Sequence, residues 1–287
     1  MRVTLLGATG TIGRSTALEL ERQGHVVTTP GRSDLVEMDL GGQDAVITCI
    51  ASRTGVPADA WAVDYNLNSE ALVAAKAAGV KRFIMLSALC VQKPKLAFQH
   101  AKLAFEEELQ ASGLTFSIIR PTAFFKSLSG QVERVKVGKP FLAFGNGELT
   151  ACKPISDRDL ARYIVQCLSD PSAANRVLPI GGPGPAITPK HQADLLGEVL
   201  GEAVSIRSVP PRMLTIIAAT LGTLGFKTKA ELARIGHYYA TESMLVWDGT
   251  RYDADATPEF GTETLADHYR ALAQGEIVDD RGAHAVF

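Results

Sequence analysis

VTLLGATGTIGRSTALEL, residues 3–20, joins a short apolar run to a glycine-rich turn and then to a helical pattern. The run from Val3 to Leu6 does not alternate with charged residues, as expected of a strand covered on both faces. Gly7, Gly10 and Gly13 follow it, and helical periodicity extends from about residue 12 to 23, where Gly24 closes it as a left-handed cap. Such a turn keeps Cβ atoms away from its backbone amides, and the positive end of the next helix points the same way. The stretch therefore reads as a pyrophosphate cradle at the start of a dinucleotide-binding fold.

Outward from this turn the same alternation continues. HVVTT (25–29), AVITCI (45–50), RFIMLSA (82–88) and FSIIRP (116–121) are short β-branched runs, with helical stretches at 59–78 and 97–112 between them and Gly113 after the latter. The pattern predicts an α/β fold built on a doubly wound parallel sheet. FLAFGNGELTAC (141–152) predicts a hairpin about Gly145, Asn146 and Gly147, and SDRDLARYIVQCL predicts a helix with Ser156 as its N-cap. GGPGPAITP (181–189) is the clearest punctuation, so a nucleotide-binding domain is expected over 1–180 and a smaller substrate lobe over 181–287. The long apolar segment MLTIIAATLGTLGF (213–226) is too short and too interrupted to span a bilayer. It reads either as a core helix or as an apolar wall for a flat hydrophobic ligand.

A chain of 287 residues can bury a substantial core, and 29 basic against 31 acidic residues without a basic block argue against a nucleic-acid partner. Cys49, Cys90, Cys152 and Cys167 are dispersed with no CxxC spacing, which suits reduced core thiols. No leader pattern precedes the strand that begins at Arg2, so a cytoplasmic protein is expected. His100, His191 and His237 read as structural or surface histidines, and no side chain is expected to bind a metal.

Two positions bear on chemistry. At the end of the second strand, where an acid would grip the ribose of NAD, the sequence is TTPGRS; Arg32 and Ser33 offer a cation and a hydroxyl to a 2′-phosphate, which favours NADP. Phe98 and Lys102 are four apart on one helix and share a face. Lys102 is placed to hold a nicotinamide ribose. Ser87, at the end of the fourth run, either contacts substrate or satisfies local backbone. Phe98 has no proton to give, so reduction of a ketone lacks its acid, whereas hydride addition to a conjugated carbon–carbon double bond does not require one at that position.

LSALCVQKPKLAFQHAKLAFEEEL, RPTAFFKSLSGQ, ACKPIS, LPIGGPGPAITP and YYATESMLVWD together resemble the 3,8-divinyl (proto)chlorophyllide 8-vinyl reductases of the atypical short-chain dehydrogenase/reductase group. That resemblance implies a Rossmann-type fold and NADPH-dependent reduction of a magnesium chlorophyll precursor in (bacterio)chlorophyll synthesis. It also implies peripheral association with the photosynthetic membrane. Carried over residue by residue, Gly7, Thr9, Gly10, Thr11 and Ile12 would line the pyrophosphate, and Arg32 and Ser33 the 2′-phosphate. Ala51, Ser52 and Arg53 would face the ribose. Lys102, Pro121, Thr122 and Phe124 would frame the nicotinamide, with Lys102 and Ser87 as the catalytic pair. A non-catalytic NADPH-sensing regulator of the same fold, or an ene-reductase for small phenolic substrates, is the alternative.

Overall fold

The computed structural model describes residues 1–31 and 39–277. In chain order, β1 is Arg2–Leu6, α1 Thr11–Arg22, β2 Val26–Thr28, β3 Ala45–Thr48 and α2 Pro57–Ala60. A single π-helical segment, Trp61–Asn66, then leads into α3, Leu67–Ala77. There follow β4 Arg82–Leu86, α4 Ala97–Gln110, β5 Thr115–Pro121, α5 Phe125–Leu128, α6 Val132–Lys136, β6 Phe141–Phe144, α7 Asp157–Gln166 and β7 Arg176–Ile180. The remainder contains α8 Pro189–Leu200, β8 Ile206–Val209, α9 Arg212–Thr223, α10 Lys227–Thr241, β9 Val246–Trp247, β10 Tyr252–Asp253 and α11 Leu265–Gln274.

The chain divides into two compact units, Met1–Pro121 with Asp157–Ile180, and Thr122–Ser156 with Gly181–Phe287. In the first, six strands pair in parallel in the order β2-β1-β3-β4-β5-β7. Strand order reverses between β1 and β3, and such a reversal opens a crevice at the carboxyl ends of the strands. All four residues of β3 are buried, which is why its sequence is continuous rather than alternating. On one face Val46, Leu72, Phe83, Phe105, Leu109 and Ile118 share a core, with the Phe83 and Phe105 rings 5.9 Å apart. Phe105 follows Lys102 by less than a turn, so this packing fixes the helix that carries the lysine. In the same unit α1 packs with α7.

The second unit has its own core, in which Phe125, Val132, Phe141, Leu196, Tyr269 and Leu272 cluster. The Tyr269 hydroxyl donates to the Leu128 carbonyl oxygen at 3.0 Å, so the buried ring leaves no polar tip unpaired.

Several expectations need correction. Residues 122–156, placed by sequence in the nucleotide domain, cluster with the second unit: the chain leaves the sheet after Pro121 without any glycine or proline run to mark the exit. The hairpin over 141–152 does not form. Gly145 (φ +60°) and Gly147 (φ +80°) do make a turn, but β6 pairs in parallel with β8, a partner sixty-five residues further on, and Cys152 bridges Ile187 and Met244. The helix expected over 59–78 does form, running without a gap through α2, the π segment and α3, with the π geometry at Trp61–Asn66 as the departure from a regular helix. Finally, 213–226 is not a core helix, since α9 buries only Leu214 and Ala218.

Candidate cofactor and active site

The turn after β1 is built around close approach. Gly7 sits at φ +81°, and a Cβ there would stand 2.7 Å from the Cys49 carbonyl oxygen at the end of β3; a Cβ on Gly13 would stand 2.1 Å from the Gly7 oxygen. Only glycine lets strand, turn and helix meet so closely. Gly10 is the N-cap of α1 but supplies no side-chain cap, and the first turn of the helix holds no acid. The positive helix end is thus left uncompensated by its own residues, and the Cβ-free cradle beside it suits a pyrophosphate. Thr9 is exposed, Thr11 half-buried, and Ile12 is buried, so Ile12 has only its backbone to offer a ligand.

Lys102 lies in α4 with only 5% of its surface exposed, and its Nζ is 3.1 Å from Oδ1 of Asp64, itself 1% exposed. Asp64 rides on the π segment, an irregular turn of the kind that often re-aims a side chain at a functional site. The Asp64 carboxylate also accepts the Ser52 backbone N–H, at 3.3 and 3.4 Å to its two oxygens. Below it the Asn68 amide donates to the Asp64 carbonyl at 3.0 Å, while Asn68 Oδ1 accepts the Thr48 hydroxyl at 2.5 Å. A continuous buried polar chain therefore runs from β3 through the π segment to Lys102. A buried charge of this kind needs its partner: removing one member of such a pair typically costs about 3–5 kcal/mol.

Ser87 does not join this group. Its hydroxyl donates to the Glu106 carboxylate, which also accepts Arg120 Nε at 3.1 and 3.2 Å, and its N–H donates to the Ile119 oxygen at 2.8 Å. Its one hydroxyl proton is thereby engaged by a buried carboxylate, in a brace between β4, α4 and β5. Phe98, in the first turn of α4, is half-buried.

Of the other expected residues, Ala51 and Arg53 are exposed beside Ser52 after β3, and Pro121 is buried as the last residue of β5. Thr122 and Phe124 belong to the second unit, where the Thr122 hydroxyl donates to the Lys153 carbonyl and Phe124 bridges Ile155. Arg32 and Ser33 lie outside the described residues. Sequence reasoning missed Asp64 and Asn68. Their trace is an acid and an amide four apart, on the helix face that also carries Val63, Ala71 and Leu72.

Parallel sheet, glycine cradle and buried lysine define an NAD(P)H-binding protein of Rossmann type, and a family model described as NAD(P)H-binding matches residues 30–171. The chain is 46% identical to the chloroplastic divinyl chlorophyllide a 8-vinyl-reductase of Cucumis sativus, over 88% of this chain and 65% of that protein. It is 41% identical to the enzyme of the same name from Arabidopsis thaliana, over 98% of this chain and 79% of that protein. The chain belongs to the divinyl chlorophyllide a 8-vinyl-reductase family. Among solved structures, UDP-glucose 4-epimerase from Thermotoga maritima shares the fold, with a TM-score of 0.71 at 17% identity over 96% of this chain and 98% of that one. The cytoplasmic expectation is corrected: the plant relatives are named as chloroplastic proteins.

Proposed function

We propose that this chain reduces the 8-vinyl group of divinyl chlorophyllide or protochlorophyllide to ethyl, with NADPH as reductant. The observation that carries this reading is the pairing in α4 of a buried, ion-paired Lys102 with a phenyl ring, Phe98, one turn before it. NADPH supplies a hydride when bound. The protein's part is to hold and orient: the Gly7–Gly13 cradle for the pyrophosphate, Arg32 for the 2′-phosphate, Lys102 for the nicotinamide ribose. Asp64 keeps the Lys102 ammonium from swinging away. With no proton donor at position 98, the chemistry that fits is addition to a double bond whose developing negative charge spreads into the conjugated macrocycle. Positioning of the reactants then supplies several kcal/mol of the barrier reduction. Residues of the second unit are assigned to the pigment, and peripheral association with the photosynthetic membrane belongs to the same reading because the pigment partitions into lipid.

Purified protein mixed with divinyl chlorophyllide and NADPH is expected to shift the pigment's blue absorption band to shorter wavelength, and much more slowly with NADH. A spectrum unchanged by either cofactor sinks the proposal.

A further inference from the structure

Helix α9 and the turn that follows carry an apolar surface not used by the core of the second unit. Leu214 and Ala218 are the buried residues of α9, and a Cβ on Gly222 would lie 4.0 Å from the Cβ of Ala230 in α10, so this side of α9 meets α10. The opposite side presents Met213, Ile216, Ile217 and Leu224, which share one helical face by spacing, with Phe226 in the turn beyond. Ile216 is 63% exposed, Leu224 64% and Phe226 52%. Two threonines lie among them, yet the Thr220 hydroxyl donates to the Ile216 carbonyl at 2.9 Å and that of Thr223 to the Thr220 carbonyl at 2.8 Å. The polar groups of this face are satisfied within the helix and require no water.

Charge completes the pattern. Residues 206–234 hold five basic side chains, Arg207, Arg212, Lys227, Lys229 and Arg234, against the single acid Glu231, in a chain whose net charge is −2. Glu231 is ion-paired with Arg234. Lys229 Nζ lies 5.5 Å from the centre of the Phe226 ring, which puts a cation at the apolar tip. Among the described residues no helix is long and apolar enough to cross a membrane. We infer that α9 and the turn into α10 dock this protein onto an anionic bilayer. The helix lies in the interface with Ile216, Leu224 and Phe226 at the acyl boundary and Lys227 and Lys229 against lipid phosphates. A second copy of the chain fits this face less well, since pairing two of them would bring like charges together. The inference rests on the membrane association proposed above and assigns it to one surface; vesicle binding is measured without pigment, so it can fail while vinyl reduction stands.

The test is co-sedimentation of the full chain with phosphatidylcholine vesicles containing about one third phosphatidylglycerol, and with phosphatidylcholine alone. Binding is expected to the anionic vesicles, to weaken with salt, and to fall by roughly tenfold or more in Ile216→Asp/Leu224→Asp and in Lys227→Glu/Lys229→Glu. Unchanged NADPH binding shows that the variants are folded. Failure of the parent protein to sediment with anionic vesicles, or equal sedimentation of parent and folded variants, overturns the inference. So does a self-association abolished by Ile216→Asp, which assigns the face to a second copy. A loss of pigment binding without vesicles in that variant assigns it to the substrate and overturns the inference as well.

Discussion

At the scale of single residues, the account rests on Lys102 and what surrounds it. Replacing Lys102 by Met removes the proposed ribose contact and leaves the buried Asp64 carboxylate unpaired, so activity should fall by about a hundredfold and stability by about 3–5 kcal/mol. In Lys102→Met/Asp64→Leu the unpaired charge is gone; the denaturant midpoint should largely return while activity does not. Recovery of both would mean that Lys102 serves only the fold. Phe98→Tyr separates the chemistry from the scaffold. It offers a phenol where the account needs none, and kcat for vinyl reduction should stay within about twofold of the parent; a marked acceleration would show that position 98 takes part in proton transfer. The lysine was legible in sequence because a helix fixes its spacing from Phe98. Its partner was not, because residues 64 and 102 meet only once β3, β4 and two helical segments are assembled. Glu106 was hidden for a related reason: within the run EEEL it looks like a solvated helix acid, and only the fold shows it buried against Ser87 and Arg120.

At the scale of elements, local chemistry was the better guide. The glycine turn, α1 and the buried strands follow from backbone freedom and from continuous apolar runs, both properties of neighbours in sequence. Gly13→Ala tests the turn directly. Its methyl would overlap the Gly7 carbonyl oxygen, the start of α1 must shift, and NADPH affinity should drop by at least about tenfold, as read by quenching of nicotinamide fluorescence. Unaltered affinity would place the pyrophosphate elsewhere. Local cues failed where pairing is distant. The Gly145–Gly147 turn is present, but which strand receives β6 depends on a segment sixty-five residues away, and glycine signals carry no information about that. The π segment was illegible too, since its sequence, WAVDYN, differs little from that of an ordinary helix.

For the whole molecule, two units meet different demands: one buries a nucleotide-binding sheet, and the other holds a separate core together with Lys153 paired to Glu259 at 2.6 Å. Each also buries a thiol. Burial pushes Cys167 in the first unit and Cys152 in the second up to about 12 from an ordinary 9.0. Above pH 9 the unfolded chain releases these protons and the folded chain keeps them. Stability is therefore fully present below that pH and falls as pH rises toward 12, by about 1.4 kcal/mol per unit for each thiol. Cys152→Ala should reduce that slope by one thiol's share in unfolding titrations; parallel slopes for parent and variant would refute the burial argument.

A site with a held lysine and no acid at position 98 should reduce a vinyl group and leave ketones alone. Both reactions add two hydrogens to the pigment and look alike by mass, but they leave different protons behind. Proton NMR of divinyl chlorophyllide after turnover with NADPH decides between them. The account predicts that the 8-vinyl signals are replaced by those of an ethyl group while every ketone survives. A new carbinol proton with the vinyl signals intact would contradict it.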